Sequence, residues 1–205
     1  DDPSYTGSVA LGDLDGDGDL DLVEGIWGGF SRVYLNTGTG TFVPGQVFGD
    51  WLYAAGVALG DLDGDGWLDV VMANWGEHNR VYMNDGLGTF DAGSSFGGWN
   101  DTYGLTVGDL DGDGMLDLVS GNDGQNYVYY NNGAGNFATS TPSGGEDTTR
   151  SVALGDLNGD GALDLVVANE GQQNRVHLSG ARLTTQPGNR ASYVSLVRPT
   201  ATGNA

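Results

Sequence analysis

A repeat with a period near 48 residues limits this chain to an array of like units. Four segments align: Val9-Ala10-Leu11-Gly12-Asp13-Leu14-Asp15, Val57-Ala58-Leu59-Gly60-Asp61-Leu62-Asp63, Leu105-Thr106-Val107-Gly108-Asp109-Leu110-Asp111 and Val152-Ala153-Leu154-Gly155-Asp156-Leu157-Asn158. Their first aspartates are spaced by 48, 48 and 47 residues. The phase continues through Arg32–Asn36, Arg80–Asn84, Tyr127–Asn131 and Arg175–Ser179, and a Gly-x-Gly-x-Phe turn follows three times, ending at Phe42, Phe90 and Phe137. The fourth unit lacks that turn and runs into Pro187-Gly188-Asn189. Self-similar units of this length stack on their neighbours, because none buries its apolar face alone.

Each unit holds short apolar runs between glycine and aspartate clusters, the pattern of strands and turns. In the second unit the runs predict strands at Gly56–Leu59, Leu68–Asn74, Arg80–Met83 and Phe90–Ser95. The Val, Leu and Ala runs have no helical spacing, which suits strands buried on both faces. Four strands at this period describe an all-β β-propeller of four-stranded blades. The blades are expected at 1–49, 50–97, 98–143 and 144–198, with 199–205 a linker or truncated end.

Net charge is −21, and all seven basic residues are arginine. Such a surface repels phosphate backbones, which argues against nucleic-acid binding and against anionic membranes. No apolar run approaches the ~20 residues that span a bilayer, so no membrane insertion is expected. There is no cysteine, so any staple is something other than a disulfide.

Between the first two strands of every unit lies Asp-x-Asp/Asn-x-Asp-Gly-x-x-Asp. Positions 1, 3, 5 and 9 are Asp13, Asp15, Asp17 and Asp21; Asp61, Asp63, Asp65 and Asp69; Asp109, Asp111, Asp113 and Asp117; and Asp156, Asn158, Asp160 and Asp164. The glycine at position 6 allows a sharp turn, and the residue at position 7 (Asp19, Trp67, Met115, Ala162) can offer its carbonyl. Hard oxygen donors in this number suit calcium better than zinc or copper. Without a cation, carboxylates about 5 Å apart repel by about 3 kcal/mol per pair at an effective dielectric near 20. These loops hold 16 of the 28 acidic residues, and about four bound calcium ions would bring the charge to −13. An EF-hand is excluded: its position 12 needs glutamate, and here that position is Glu24, Met72, Ser120 and Val167.

The loop, the period and the pairs Phe48-Gly49 and Phe96-Gly97 resemble FG-GAP repeats, also called VCBS repeats, of the integrin-α-type β-propeller, over about residues 7–180. The resemblance implies one calcium per blade between strands 1 and 2, where it rigidifies the blade. Such propellers usually carry seven blades, whereas this chain has four. It therefore closes as a small ring, or forms part of a larger one completed by absent sequence or by another copy, the latter an eight-bladed homodimer.

Trp27, Trp51, Trp75 and Trp99 fall in the loops expected opposite the calcium loops, beside Tyr53, Tyr103, His78 and Arg150. Aromatic platforms next to amides and carboxylates suit a sugar ring or a protein partner; packing between blades is the other use for them. No nucleophile motif occurs, and neither His78 nor His177 recurs in phase, so no enzyme is expected. The reading is an extracellular calcium-stabilised binding or adhesion module, secreted or at the cell surface. A glycan-binding lectin, part of a polysaccharide lyase, and a purely architectural repeat are the alternatives.

Overall fold

In the computed structural model the described residues are 5–179 and 192–193. The expected linker at 199–205 and the last part of the fourth unit lie outside them. The described residues contain strands and no α-helix. The strands are β1 (Tyr5–Gly12), β2 (Asp21–Asn36), β3 (Phe42–Gly60), β4 (Asp69–Asn74), β5 (Glu77–Tyr82), β6 (Ser94–Asn100) and β7 (Thr102–Gly108). They continue as β8 (Asp117–Asn122), β9 (Asn126–Tyr130), β10 (Thr139–Ser143), β11 (Thr149–Gly155), β12 (Asp164–Asn169), β13 (Arg175–His177) and β14 (Ser192–Tyr193).

Neighbouring strands pair in chain order, and all pairs except one are antiparallel. The long β2 and β3 cover, one period earlier, the stretches that β4–β5 and β6–β7 divide in two. In the fourth unit β14 pairs parallel to β13, Arg175 opposite Ser192. That unit lacks the tight turn an antiparallel hairpin requires. The fourth strand of the second unit starts at Ser94, four residues later than the apolar run suggests. Asp91 causes the shift by accepting from the N–H of Met83 (3.1 Å) and of Gly93 (2.8 Å), which ties Phe90 into a turn.

The core consists of the seams between units. Leu14, Val23, Val33 and Phe48 of unit one meet Ala54, Val70, Met72 and Tyr82 of unit two. Leu62, Val71, Val81 and Phe96 meet Leu118, Tyr129 and Phe137 in the second seam. Leu110, Val119 and Val128 meet Val152, Leu165 and Val167 in the third. Val70 and Val71 are adjacent yet both fully buried, one in each of two seams. This is why the second strands read as unbroken apolar runs.

The Phe-Gly pair acts across these seams. Phe48 stands edge-on to Tyr82 at 5.0 Å, and Phe96 stands edge-on to Tyr129 at 5.1 Å. The glycine after each lets the same tyrosine's hydroxyl come close: a Cβ on Gly97 (φ 71°) would lie 2.7 Å from the Tyr129 hydroxyl. In the third seam Ser143-Gly144 replaces the pair, and buried His177 replaces the tyrosine.

A polar relay crosses two of the seams. Asn79 Nδ2 donates to Thr102 Oγ1 (3.1 Å), which donates to Asn122 Oδ1 (2.8 Å). Asn126, Thr149 and Asn169 repeat this at 2.9 and 2.8 Å. In the first seam the matching residues are Ser31, Ala54 and Asn74. Ala54 has no hydroxyl, and Asn74 Oδ1 is buried without a partner. An unmet buried acceptor costs about 1–3 kcal/mol. Ala54→Thr places a donor there, with its methyl against Gly25, as Thr149 lies against Gly121. It is expected to raise the melting temperature by about 2–4 °C, corresponding to about 1 kcal/mol, in a calorimetric scan.

Candidate functional site

Strand register puts the two candidate regions at opposite ends of each sheet. Gly12 pairs with Asp21 and Gly60 with Asp69 at the aspartate-loop end, whereas Tyr5 pairs with Trp27 and Ala54 with Asn74 at the other.

All four aspartate loops share one backbone arrangement. The position-1 carboxylate accepts two glycine N–H groups: Asp61 from Gly64 (2.8 Å) and Gly66 (3.0 Å), and Asp156 from Gly159 (2.7 Å) and Gly161 (2.9 Å). The position-3 side chain accepts from the N–H of position 5, and position 5 from that of position 7, as in Asp63 to Asp65 (3.2 Å) and Asp65 to Trp67 (2.9 Å). These turns wind the acidic oxygens around one centre. Three carboxylates offer oxygens within 4.8 Å of one another in the groups Asp13/Asp15/Asp17, Asp61/Asp63/Asp69 and Asp109/Asp111/Asp117. In the fourth loop Asn158 takes one carboxylate's place.

The position-9 aspartate also has a structural role that the loop spacing did not reveal. Asp21, Asp69, Asp117 and Asp164 are all buried. Each accepts one N–H from its own loop and one from the end of its unit's third strand. For Asp21 the donors are Leu14 and Asn36, both at 2.8 Å; for Asp69 they are Leu62 and Asn84, both at 2.9 Å. Burial pushes Asp69 and Asp117 up to about 6, against the bonds from those N–H groups, and the neighbouring loop carboxylates add to the rise. Burial also raises Asp15 and Asp111. Asp156 moves down instead, chiefly through the N–H of Gly161. This is the electrostatic setting in which a hard divalent cation, held by oxygens alone, keeps carboxylates ionised.

Side chains at position 7 lie over the turn between the third and fourth strands. Trp67 covers Gly86, and also Gly16 of the neighbouring unit's loop; Met115 covers Gly133, and Asp19 lies over Gly38. Trp67 therefore covers the turn beside its loop.

At the other end the four tryptophans divide into two kinds. Trp27 and Trp75 pack across units. Their rings lie 5.8 Å apart, Tyr53 stands edge-on to both, and Trp75 Nε1 donates to the Tyr103 hydroxyl (3.1 Å). The ladder extends to the Arg150 guanidinium, 3.9 Å above the Tyr103 ring and paired with Glu170. Trp51 and Trp99 instead stand out from the sheets, 63% and 69% exposed. Among the described residues each has a single aromatic neighbour, Phe30 at 5.9 Å and His78 at 5.2 Å. Phe30 and His78 are themselves 48 residues apart, a signal in the repeat that the tryptophans alone did not bring out. A groove of about 390 Å³ is lined by Gly98, Asn100, Tyr127 and Ser140; Trp99, between Gly98 and Asn100 on β6, is not part of its lining.

Residues 26–72, 61–120 and 109–167 each match the FG-GAP-like repeat. Comparison with curated proteins gives no significant match. Among solved structures, the chain is similar to an Agrocybe aegerita lectin described as specifically recognising non-reducing terminal N-acetylglucosamine. The TM-score is 0.55 at 27% identity, over 77% of this chain and 45% of the lectin. It is also similar to BBS1N in complex with ARL6DN, with TM-scores of 0.56 and 0.55 at 16% identity in lead- and mercury-soaked crystals, over 80% and 81% of this chain. The chain thus spans about half the length of these structures. The propeller architecture agrees with the four-stranded units described above, and the repeats with a lectin-like neighbour support a binding module.

Proposed function

The chain belongs to the FG-GAP-like repeat family, and from that premise we propose that it is a calcium-stabilised extracellular module that binds a glycan through Trp51 and Trp99. The carrying observation is the pair of outstanding tryptophans, in the same slot of consecutive units, each backed by an aromatic ring in the same slot. An exposed indole costs solvation with no packing return, while it offers the C–H face of a sugar a flat apolar platform. The lectin neighbour favours a terminal sugar over a protein ligand.

Calcium, about one ion per loop, is the scaffold in this reading. It is held by the carboxylates at positions 1, 3, 5 and 9, with Asn158 in the fourth loop. Sites of moderate affinity fill at the 10⁻⁴–10⁻³ M range typical of extracellular modules, which is why a secreted or cell-surface setting suits them. The protein is a binder with no catalytic role.

A glycan array in calcium, followed by titration calorimetry, tests the reading. Trp99→Ala and Trp51→Ala are each expected to weaken binding about tenfold or more, given the ~1–3 kcal/mol scale of stacked aromatic contacts. Trp75→Ala is expected to lower stability more than affinity. Unchanged affinity in both the Trp51 and Trp99 variants would reject the rim.

A further inference from the structure

The first two seams differ at the slot of Gln46. In the first seam Gln46, on β3, reaches across to the main chain of Phe90 in unit two. Its Nε2 donates to the Phe90 carbonyl (2.9 Å), and its Oε1 accepts the Phe90 N–H (2.5 Å). Those two main-chain groups are free to meet it because Phe90 forms a bridge with Asn84 in which the bonds are made by its neighbours. The Asp85 N–H goes to the Thr89 carbonyl, and the Asp91 N–H to the Met83 carbonyl. One period on, Phe137 stands in the slot of Phe90 and is buried like it, whereas Ser94 stands in the slot of Gln46. A serine is too short for that reach, and among the described residues no side chain bonds the Phe137 main chain.

At this second seam a groove of about 610 Å³ lies between the units. Met83, Ser94 and Gly97 line it from unit two, and Asn136, Phe137 and Ala138 from unit three. Its volume is within the ~300–1,000 Å³ of ligand sites. The smaller groove of about 390 Å³ shares Gly97, Phe137 and Ala138 with it, so the two run together as one channel.

We propose that this channel binds a glutamine side chain carried on an extended segment of a partner protein, its carboxamide paired with the Phe137 N–H and carbonyl as Gln46 pairs with Phe90. The occupant follows from the chain's own example. A primary carboxamide holds a donor and an acceptor on one edge, which matches the N–H and carbonyl of a single residue. An acetamido group cannot copy this, because a trans secondary amide directs its N–H and C=O to opposite sides and makes one bond of the two. A glutamate side chain accepts but does not donate, and it brings a like charge toward Asp91, which also lines the groove. The joined grooves leave room for the residues on either side of the glutamine. This inference goes beyond the glycan and cation readings and depends on neither.

Amide NMR of the isotope-labelled full chain tests it. The probe is an acetylated, N-methylamidated Ala-Gln-Ala tripeptide, whose caps carry no primary amide. The Phe137 N–H resonance is expected to shift saturably, while that of Phe90, already held by Gln46, stays in place. Peptides with glutamate or norleucine in place of the glutamine are expected to bind at least about tenfold more weakly, the effect of leaving a partner unmet. Ser94→Gln restores the pattern of the first seam, so its own side chain is expected to occupy Phe137 and abolish the response. Trp51→Ala and Trp99→Ala are expected to leave the peptide titration unchanged, which separates this site from the glycan rim. No shift at Phe137 overturns the proposal, as does equal binding of the glutamate or norleucine peptide, or undiminished binding to the Ser94→Gln chain. Saturable shifts at Phe137 from N-acetylglucosamine, with none from the peptide, overturn it in favour of a second sugar site.

Discussion

Chelation of calcium is expected to lower the melting temperature by on the order of 20 °C. A ligand that binds only the folded state stabilises it by about 2.7 kcal/mol when present at a hundredfold its dissociation constant. Four independent loops multiply that gain, and a domain of this size moves by about 2–4 °C per kcal/mol. The loops give the chelated protein little to fall back on. Asp61, Asp63 and Asp69 hold oxygens within 4.8 Å of one another, and among the described residues the ion pairs lie elsewhere, at Arg80, Arg150 and Arg175. Scanning calorimetry in calcium and then in chelator measures the difference, and equal melting temperatures would end the cation reading. Magnesium is expected to restore less of the loss, because it demands a tighter octahedral shell than these wide loops offer.

Asp21→Ala is expected to cost about 2–6 kcal/mol, and to cost it with or without calcium. Its carboxylate accepts the N–H of Leu14 and of Asn36, so truncation leaves two donors unmet at a fully buried position. Each such orphan costs about 1–3 kcal/mol. The damage reaches the first seam, because the Leu14 carbonyl accepts from Gly88 and Asn84 of the next unit. Asp15→Ala provides the contrast. That side chain accepts one long bond, from Asp17 N–H at 3.2 Å, so its loss is expected to matter in calcium and almost vanish in chelator. Urea unfolding of the two variants in both conditions separates a structural staple from a ligand. Equal losses for Asp15→Ala in both conditions would contradict the division.

Much of this was legible because a repeat states each rule several times. The aspartate loops and the strand order followed from phase alone. The tryptophans do lie at the end opposite the loops, but Trp27, Trp51 and Trp99 sit within β2, β3 and β6 rather than in the expected loops, because the strands run on past the apolar runs. What escaped were properties of pairs of units. Nothing local marks Thr102 as the middle of a relay from Asn79 to Asn122, since its partners are 23 and 20 residues away. The second role of Asp21 was hidden for the same reason: its other donor, Asn36, is 15 residues downstream. The four tryptophans looked alike in the sequence, yet Trp75 has Tyr103 to lie against, while Trp99 has only His78. The late start of β6 came from Asp91, whose side chain outcompeted the strand register that Phe90 alone suggested.

Among the described residues the apolar interior is divided into three clusters, each shared by adjacent units. Cohesion among these units behaves as a set of nearest-neighbour couplings, in which the second and third units are each held from two sides. Damage to one unit is therefore felt by its neighbours and little beyond them.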